Sequence, residues 1–426
     1  MPAKHVHFLG IGGSGASAVA SIAKAQGFKI TGCDKQPHNE FTTNFEKQEL
    51  LEGHSPDHLE NVDILAVTPA IFSADPNNQE VKAAKERNIP VISWQEFMGK
   101  YLEEGKYVIA VSGTHGKSTT TAMIGQLLED ADLDPTVELG AVVPRWGRNY
   151  RIGKSKYFIT EADEFNDNFL VSRPDIAVVT SIEMDHPEYF KDFDEYKNSF
   201  RKFLTQTKEA IVANLNYPAV GEVLKDVMKE TSVISIDYSK SEFHLNLQIP
   251  GKFNLLNAAA AFQVGLLLGI DPELIRNSLQ TYSGVGRRQE LIGRLHDAPI
   301  YSDFAHHPTE IKVTVDTIAQ KYPDKKLIVL FQPHMYSRTK ALWNDFVKIS
   351  KEIPAEKTII LDIYKAREYP IEGITSQRLA EEIGDKKVEY MNDEDALKFV
   401  RKQATENHVI IFLGAGPIHA LAKSLV

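Results

Sequence analysis

The sequence predicts an α/β fold organised in three consecutive segments. Short apolar runs typical of strands alternate with stretches of helical periodicity in the first and third segments, which predicts parallel sheets covered by helices. The second segment opens on a buried-strand pattern that leads directly into a glycine-containing turn. A chain of 426 residues also exceeds what one hydrophobic core usually serves, which favours two or three domains.

The first segment, residues 1–105, ends in the polar stretch Glu103–Lys106. Its apolar runs are at most five residues long, which is typical of strands, and its longer segments show helical periodicity. The predicted strands are His5–Leu9, Lys29–Gly32, Ile64–Val67 and Val91–Ser93, and the predicted helices are Ser14–Gln26 and Gln79–Arg87.

The second segment, residues 106–284, ends at the loop Tyr282–Gly286, and the third covers residues 285–426. Both are interpreted by the same criteria. The second is predicted to contain strands Tyr107–Ser112, Tyr157–Thr160, Ile176–Thr180, Ala210–Ala213 and Ser232–Ile236 and a helix from about Asn254 to Leu268. The third is predicted to contain strands Ile300–Ser302, Leu327–Phe331, Thr358–Asp362 and Val409–Leu413, with helices from Pro308 and around Arg338–Ile349.

Composition narrows the functional classes. The net charge of −10 argues against general nucleic-acid binding, which needs clustered Lys and Arg. The single cysteine, Cys33, cannot form an internal disulfide and is expected to be a packed small residue. The apolar stretch Ala258–Ile270 is too short to span a membrane and predicts a buried helix. With no signal-peptide pattern at the N-terminus, we expect a soluble, cytoplasmic protein without a membrane segment.

A first glycine motif lies between a predicted strand and a predicted helix. Gly10-Ile-Gly-Gly-Ser-Gly15 fits G-x-G-x-x-G, and Asp34 follows the next strand. Glycines let backbone amides approach a pyrophosphate, whose charge the helix N-terminus stabilises. Taken alone, the motif is typical of an NAD-binding domain with Asp34 on a ribose. Another diphosphate-bearing nucleotide, or merely a tight turn that packs helix on strand, would fit the same pattern.

A second glycine motif is more specific. Ser112-Gly-Thr-His-Gly-Lys-Ser-Thr-Thr-Thr121 follows the strand Tyr107–Ser112. Its glycines expose amides, Lys117 supplies a positive charge for the β- and γ-phosphates, and a Ser or Thr hydroxyl can ligate Mg²⁺. Val111 stands where the generic Walker pattern has its first glycine. Two phosphate loops in different segments suggest one domain for a nucleotide-linked substrate and another for ATP.

Acidic residues follow two further strands of the second segment. Glu161-Ala-Asp-Glu164 comes after Tyr157–Thr160, and Glu183-Met-Asp-His186 comes after Ile176–Thr180. Strand C-termini form the ligand crevice of such sheets, so both groups are expected to face the loop of Lys117. Carboxylates suit Mg²⁺. His186 is either a metal ligand or a histidine satisfied within its loop.

The third segment offers two clusters at strand ends. In Tyr301–Glu310, the pair His306-His307 could serve in acid–base chemistry, contact a phosphate or be structural. In Phe331–Thr339, the guanidinium of Arg338 could clamp a carboxylate, or could lie on a helix surface.

The ordered set of motifs resembles the Mur ligase family. The motifs are the N-terminal glycine loop, GTHGKST, EADE, the Asp-His after a strand, GKFNLLNAAAA, GVGRRQE, DFAHHPTEI and FQPHMYSRT, and they span Gly10 to Gly416. The resemblance implies a Rossmann-like UDP-substrate domain, a central P-loop-type ATPase domain and a Rossmann-like C-terminal domain that binds the amino acid and closes over the site. It implies an ATP- and Mg²⁺-dependent ligase that acts on UDP-N-acetylmuramate through an acyl phosphate in peptidoglycan precursor synthesis.

The resemblance also implies roles for individual residues. Lys117, Glu161, His186, Arg288 and His306 would be catalytic. The residues expected to contact the UDP substrate are Gly10, Gly12, Gly13, Ser14, Gly15 and Asp34. Those expected to bind ATP are Gly113, Thr114, His115, Gly116, Lys117, Ser118, Thr119, Asn254, Asn257, Arg288 and Asp303. The expected metal ligands are Ser118, Glu161 and His186, and the amino acid would lie near His306, His334 and Arg338.

Two subclasses of the family are represented in these motifs. FQPHMYSRT and HHPTEI most resemble the members that add L-alanine to UDP-N-acetylmuramate, although Phe304-Ala305 replaces their usual Tyr-Gly and Met335 their usual Arg. EADEFNDNF and DFAHHP look like the ligases that reattach a recycled wall tripeptide. L-alanine is therefore the expected amine, with the tripeptide as the alternative. From other classes, an NAD-dependent dehydrogenase and a non-enzymatic nucleotide-binding regulator are the competing interpretations.

Overall fold

The structure is a computed structural model that describes residues 3–240, 245–366 and 368–426. The chain forms two compact units. The first comprises Met1–Met184, Asp192–Gln248 and Asn254–Ser283, and the second comprises Asp185–Lys191, Ile249–Phe253 and Gly284–Val426. The first unit contains two sheets and the second contains one. The predicted α/β class is confirmed.

The first sheet is parallel, with five strands in the order β3-β2-β1-β4-β5. Its strands are β1 His5–Leu9, β2 Lys29–Asp34, β3 Leu50–Glu52, β4 Ile64–Val67 and β5 Val91–Ser93. The helices around it are α1 Ser14–Ala25, α2 Ala70–Ala74, α3 Gln79–Glu86 and α4 Trp94–Phe97, with 3₁₀ turns at Lys47–Glu49 and Pro56–Leu59 and a π-turn at Met98–Leu102. Because β1 lies between β2 and β4, the first glycine loop begins where the strand order reverses, which is the usual ligand crevice.

The second sheet has seven strands in the order β12-β11-β10-β6-β9-β7-β8. Its strands are β6 Tyr107–Ser112, β7 Thr136–Val143, β8 Arg148–Arg151, β9 Tyr157–Glu161, β10 Ile176–Val179, β11 Ala210–Ala213 and β12 Ile234–Asp237. Its helices are α5 Lys117–Asp130, α6 Phe193–Thr205, α7 Pro218–Glu230, α8 Lys252–Leu267 and α9 Pro272–Gln280, with a 3₁₀ segment at Phe165–Val171. All pairs are parallel except β7 with β8.

The third sheet has six strands in the order β13-β14-β18-β15-β16-β17. Its strands are β13 Glu290–Leu295, β14 Ala298–Asp303, β15 Lys326–Phe331, β16 Lys357–Ile360, β17 Val388–Tyr390 and β18 His408–Leu413. Its helices are α10 Pro308–Lys321, α11 Tyr336–Ala341, α12 Trp343–Glu352, α13 Ser376–Ile383, α14 Asp393–Gln403 and α15 Ile418–Lys423. Only β13 runs antiparallel to its neighbour among these strands. Apolar side chains cover both faces of the sheet.

Three predictions of elements need correction. The helix expected around Arg338–Ile349 is two helices, because Leu342 leaves the helical conformation at φ −101° and ψ 17°. Five strands were not predicted, β3, β7, β8, β13 and β17. In β13 only part of each side chain is covered, so an alternating pattern is weak there. The strand predicted at Ser232–Ile236 is observed as β12 at Ile234–Asp237.

The apolar stretch around Ala258 forms the buried middle of α8, as predicted. Across the described residues, every helix is either too short or too polar to cross a membrane. The segments Asp185–Lys191 and Ile249–Phe253, which fall inside the predicted second domain, belong to the second unit.

Glu103 is buried, although the sequence predicts it in a polar stretch at a domain boundary. Its side chain is 6% exposed, and the Ser172 hydroxyl donates to its Oε2 at 2.9 Å. Burial raises the pKa of Glu103 to about 7, although the Ser172 hydrogen bond opposes that rise. The unfolded chain loses this proton near the ordinary value of 4.5. The stability that the protonated carboxyl provides is therefore complete below about pH 4.5 and is lost as the pH rises through about 7.

We expect Glu103→Gln to remove this loss, because the amide stays neutral and can still accept from Ser172. From about pH 5 to about pH 8, the unfolding free energy of the variant relative to wild type should rise by about 2–3 kcal/mol. Denaturant unfolding across that pH range measures the difference. The control is Glu104→Gln at the exposed neighbouring carboxylate. Equal pH profiles for the two variants would contradict the buried-proton account.

Candidate active site

The first glycine loop connects β1 to α1 and is held by the end of β2. The amides of Gly10 and Ile11 donate to the carbonyl of Cys33 at 2.8 and 3.2 Å. The next residue, Asp34, accepts from the amide of Gly12 at 3.1 Å and from that of Gln36 at 3.1 Å. Asp34 therefore fixes the shape of the loop, and its contact with a bound nucleotide stays a prediction.

The helix that follows the first loop begins at Ser14, with Gly13 as its N-cap. The carbonyl of Ser14 accepts from the Asn149 side chain at 2.7 Å. A Cβ on Gly15 would lie 2.6 Å from the Trp94 ring, so this glycine permits close packing at the start of α1. The loop thus joins a helix N-terminus to a turn of small residues, which suits a diphosphate.

The second glycine loop occupies residues 113–116 between β6 and α5. Gly116 has φ +81°, a left-handed conformation that favours glycine, and a Cβ there would lie 2.7 Å from Oδ1 of Asn257. Gly113 has φ +131° and lies against Thr180 at the end of β10. The buried Asn257 of α8 therefore packs directly on the loop. This contact joins Asn257 to the loop residues that were also predicted to bind ATP.

Lys117, the first residue of α5, forms a buried ion pair. Its Nζ lies 2.8 Å from Oε2 of Glu164 and donates to the carbonyl of Gly113 at 2.7 Å. Tyr196 donates to the other oxygen of Glu164 at 3.0 Å. Burial alone lowers the pKa of Lys117, but the charges of Glu164, Asp163 and Glu161 outweigh burial and hold that pKa above its ordinary value. Lys117 is therefore a fixed positive charge at the loop.

Two loop residues are tied to Glu183, which follows β10. Nε2 of His115 lies 2.8 Å from Oε2 of Glu183, and the Thr114 hydroxyl donates to its carbonyl at 3.0 Å. The amide of His115 donates to the Ser181 hydroxyl at 2.9 Å. The residues that follow β10 thus hold the loop from one side, as expected for a sheet in which β6 pairs with β10.

Ser118 and Glu161 form the pair of oxygen donors best suited to Mg²⁺. The Ser118 hydroxyl donates to Oε1 of Glu161 at 3.0 Å, and the amide of Gly140 donates to Oε2 at 2.8 Å. Adjacent ligands of an octahedral Mg²⁺ lie about 3 Å apart when each metal–oxygen distance is about 2.1 Å. The donor types and spacing at Ser118 and Glu161 therefore fit this ion.

The second unit contains a buried cluster around Arg338. Nε of Arg338 donates to Oδ1 of Asp185 at 2.9 Å, and its Nη1 donates to Nδ1 of His334 at 3.1 Å. Burial raises the pKa of Asp185, but the charges of His186 and Arg338 outweigh burial and hold it well below its usual range. Arg338 is 3% exposed, so its interpretation as a surface arginine is wrong. His186 has φ 56°, and its Nδ1 lies 3.4 Å from Oε1 of Glu188.

Asp303 and His306 follow β14 in the same unit. The carboxylate of Asp303 accepts from the amides of Gln289 and Ala305, each at 2.8 Å. Nδ1 of His306 lies 2.9 Å from the carbonyl of Phe304 and therefore carries a proton, which leaves Nε2 as an acceptor. Burial lowers the pKa of His306 to about 4, so the ring is neutral at pH 7.

Arg288 and His334 also belong to the second unit. Nη1 of Arg288 lies 3.7 Å from Oε1 of Glu310, and its guanidinium lies over the Phe304 ring. The rings of His306 and His334 are 5.8 Å apart between centroids. The second unit therefore brings together all the residues that were predicted to lie near the amino acid.

The structure divides the predicted site residues between its two units. The first unit contains both glycine loops with Asp34, Glu161, Asn254, Asn257 and the buried Thr119, and the second contains His186, Arg288, Asp303, His306, His334 and Arg338. Sequence reasoning assigned no role to Glu164, Glu183 or Tyr196. The first two follow β9 and β10 within quoted acidic motifs, but nothing in the local sequence distinguishes Tyr196 from other aromatic core residues of α6.

Three family models match consecutive parts of the chain. "Mur ligase family, catalytic domain" matches residues 5–106, "Mur ligase middle domain" matches residues 111–245, and "Mur ligase, glutamate ligase domain" matches residues 287–416. Together these ranges cover most of the chain and each contains one of the three sheets or most of it.

Full-length relatives are similar as well. The UDP-N-acetylmuramate–L-alanine ligase of Aquifex aeolicus is 37% identical over 445 residues, which covers 97% of this chain and 95% of the relative. The solved UDP-N-acetylmuramate–alanine ligase of Thermotoga maritima has a TM-score of 0.80 at 24% identity and covers 99% of this chain and 98% of that one. A murein peptide ligase of Psychrobacter arcticus has a TM-score of 0.74 at 21% identity, with 99% and 98% covered. These two structures establish similarity of fold.

The geometry of Gly116 predicts a loss of nucleotide binding in Gly116→Ala. A methyl group there would displace Asn257 and strain a left-handed residue, which together cost about 1–3 kcal/mol. We expect the affinity for an ATP analogue to fall about tenfold or more by calorimetry. Gly147→Ala is the control, since Gly147 also has a positive φ, +62°, but no atom lies within 4 Å of its Cβ position. Equal affinities in the two variants would contradict the assignment of the loop.

Proposed function

Because the chain belongs to the Mur ligase family, whose members are ATP-dependent, we propose that it joins L-alanine to UDP-N-acetylmuramate. The proposal rests on one observation above all, the loop after β6 that carries the buried cation Lys117 beside the oxygen pair of Ser118 and Glu161. The similarity in sequence to ligases of this name over almost the whole chain supports the choice of substrates. A dehydrogenase has no use for that loop, and family membership removes this alternative.

The proposed first step transfers a phosphoryl group. An oxygen of the lactyl carboxylate attacks the γ-phosphorus of ATP, the bond to the β,γ-bridging oxygen breaks, and ADP leaves. The barrier is electrostatic because two anions must meet. Lys117 is already charged and held in place by Glu164, so it can offset this repulsion without reorganisation. Arg288 would contribute a second positive charge.

Ser118 and Glu161 would hold Mg²⁺, which supplies positive charge to the phosphates when bound, and His186 stays a predicted third ligand. In the second step, the amine nitrogen of L-alanine attacks the acyl carbon, and inorganic phosphate leaves. Nε2 of His306 carries no proton in the neutral ring and would accept a hydrogen bond from the incoming amine. We propose that Arg338, with His334, orients the carboxylate of L-alanine.

We also propose a binding role for each of the three segments. Residues 1–105 would bind the UDP-sugar through Gly10, Gly12, Gly13, Ser14, Gly15 and Asp34. Residues 106–284 would bind ATP, with Asn254 and Asn257 near the adenine and Asp303 from the third segment at the ribose. Residues 285–426 would bind the amine. A cytoplasmic location is part of the proposal, since ATP and a reduced Cys33 both fit that compartment.

Replacing Lys117 tests the proposed chemistry. Lys117→Ala should lower turnover by about 10²-fold or more, because one preorganised charge typically contributes about 3 kcal/mol to the transition state. The affinity for UDP-N-acetylmuramate should not change, since the first glycine loop is a separate site. ADP release and calorimetry measure the two quantities. Lys225→Ala, at an exposed lysine of α7, is the control. Wild-type turnover in Lys117→Ala would rule out this role for the loop.

The identity of the amine requires a direct comparison of substrates. Wild-type protein with ATP, Mg²⁺ and UDP-N-acetylmuramate should release ADP with L-alanine far faster than with other amino acids or the wall tripeptide. Preference for the tripeptide would support the recycling ligase, which the motifs EADEFNDNF and DFAHHP resemble. ATP binding without substrate-dependent ADP release would instead indicate a regulator.

A further inference from the structure

Four potential metal ligands lie together below the first glycine loop. His7 is on β1, Cys33 on β2, His58 in the 3₁₀ turn Pro56–Leu59, and Glu80 in the first turn of α3. We name them the Cys–His–Glu cluster. One ligand atom from each residue lies within 4.8 Å of the corresponding atom of every other. The ligase reaction proposed above uses none of the four.

The distances from Glu80 to the other three residues are close to those between the ligands of a tetrahedral metal site. Nε2 of His7 lies 2.9 Å from Oε1 of Glu80, Nδ1 of His58 lies 3.5 Å from Oε2, and Sγ of Cys33 lies 3.3 Å from Oε2. With zinc–nitrogen distances of about 2.0–2.1 Å and a zinc–sulfur distance of about 2.3 Å, ligands of a tetrahedral site lie about 3.3–3.6 Å apart. Small shifts of these side chains would complete the geometry.

Each histidine turns one ring nitrogen toward Glu80. Nδ1 of His7 lies 2.7 Å from the Thr31 hydroxyl, an outer partner that would fix the ring and direct Nε2 into the cluster. His7 is fully buried, and its Nε2 lies 2.9 Å from Oε1 of Glu80. Nδ1 of His58 is also buried, but it makes no hydrogen bond within the described residues and lies 3.5 Å from Oε2 of Glu80. A buried nitrogen without the hydrogen bond that burial normally demands thus faces the same carboxylate as His7.

The charges within the cluster also favour a divalent metal ion. Cys33 and Glu80 are both fully buried, and the thiol lies against the carboxylate. The Cys33 thiol donates to Oε2 of Glu80 at 3.3 Å, so it carries its proton when only the protein is present. A divalent cation would displace that proton, and its charge would balance one thiolate and one carboxylate. The simpler interpretation is a buried His7–Glu80 ion pair to which the Cys33 thiol donates a hydrogen bond, and it leaves the approach of His58 unexplained.

We propose that the Cys–His–Glu cluster binds one thiophilic divalent metal ion, with Zn²⁺ the best match to its donors. Sulfur and imidazole ligands favour Zn²⁺ over Mg²⁺, which prefers oxygen. Four protein ligands and burial indicate a structural site rather than a catalytic one. The side chain of His58 is 14% exposed, which gives the ion a path of entry.

The position of the cluster suggests what the ion would stabilise. It would connect β1, β2, α3 and the Pro56–Leu59 turn. The carbonyl of Cys33 accepts the amides of Gly10 and Ile11, and the adjacent Asp34 holds Gly12. A metal on Cys33 would therefore fix the strand end from which the first glycine loop is supported.

Metal analysis and Co²⁺ substitution test the proposal. Full-length protein incubated with Zn²⁺ and then dialysed should retain one equivalent per chain, and its thermal unfolding midpoint should rise. With Co²⁺, a sulfur-to-cobalt charge-transfer band should appear. Cys33 is the only cysteine, so this band cannot arise from Co²⁺ bound elsewhere, including at the magnesium ligands. Cys33→Ser should abolish the band, and His38→Asn, at an exposed histidine of the same unit, should retain it.

A second variant guards against a folding defect in Cys33→Ser. His58 lies at the edge of the cluster, so His58→Asn should fold normally, as circular dichroism can verify, and should bind Co²⁺ about tenfold or more weakly. Absence of the cobalt band in wild-type protein, or an unchanged affinity in His58→Asn, would overturn the proposal. Either result would leave the ligase assignment untouched, because that assignment is tested by ADP release.

Discussion

The buried ion pair between Lys117 and Glu164 is the interaction on which the second glycine loop depends. An ammonium group removed from water costs several kcal/mol unless a partner compensates it. Glu164 provides that partner, and Tyr196 holds the second carboxylate oxygen. Because Nζ of Lys117 also donates to the carbonyl of Gly113, the same pair fixes the start of the loop. The cation is thus charged and positioned by the protein alone.

The order of strands in the second sheet makes this pair possible. β6 lies between β9 and β10, so the acidic residues after both neighbours reach the loop that follows β6. Glu161 and Glu164 approach from one side, and Ser181 and Glu183 approach from the other. Parallel strands end at one edge, and the crevice where the order reverses concentrates polar groups on a rigid apolar support.

In the second unit, polar side chains also gather at the ends of parallel strands. Its strand ends carry Asp303 and the segment that leads to His334, and α11 contributes Arg338. The guanidinium of Arg338 is compensated by Asp185, while His306 is kept neutral by burial. This fixed cation beside a neutral imidazole acceptor is the arrangement on which the proposed amino-acid site rests.

The sequence by itself determined the α/β class, most parallel strands and both glycine loops, because these features are local: apolar runs, helical periodicity and glycine spacing. It also indicated that Glu161 and Lys117 act together, since both follow buried strands. Only the tertiary structure decided that Glu164 and Tyr196 hold Lys117, that Asp34 and Gly15 shape the first loop, that Glu103 is buried and that Arg338 pairs with Asp185. Those outcomes depend on strand order and side-chain burial, which join residues far apart in the chain, and no local pattern encodes the cost of removing a charge from water.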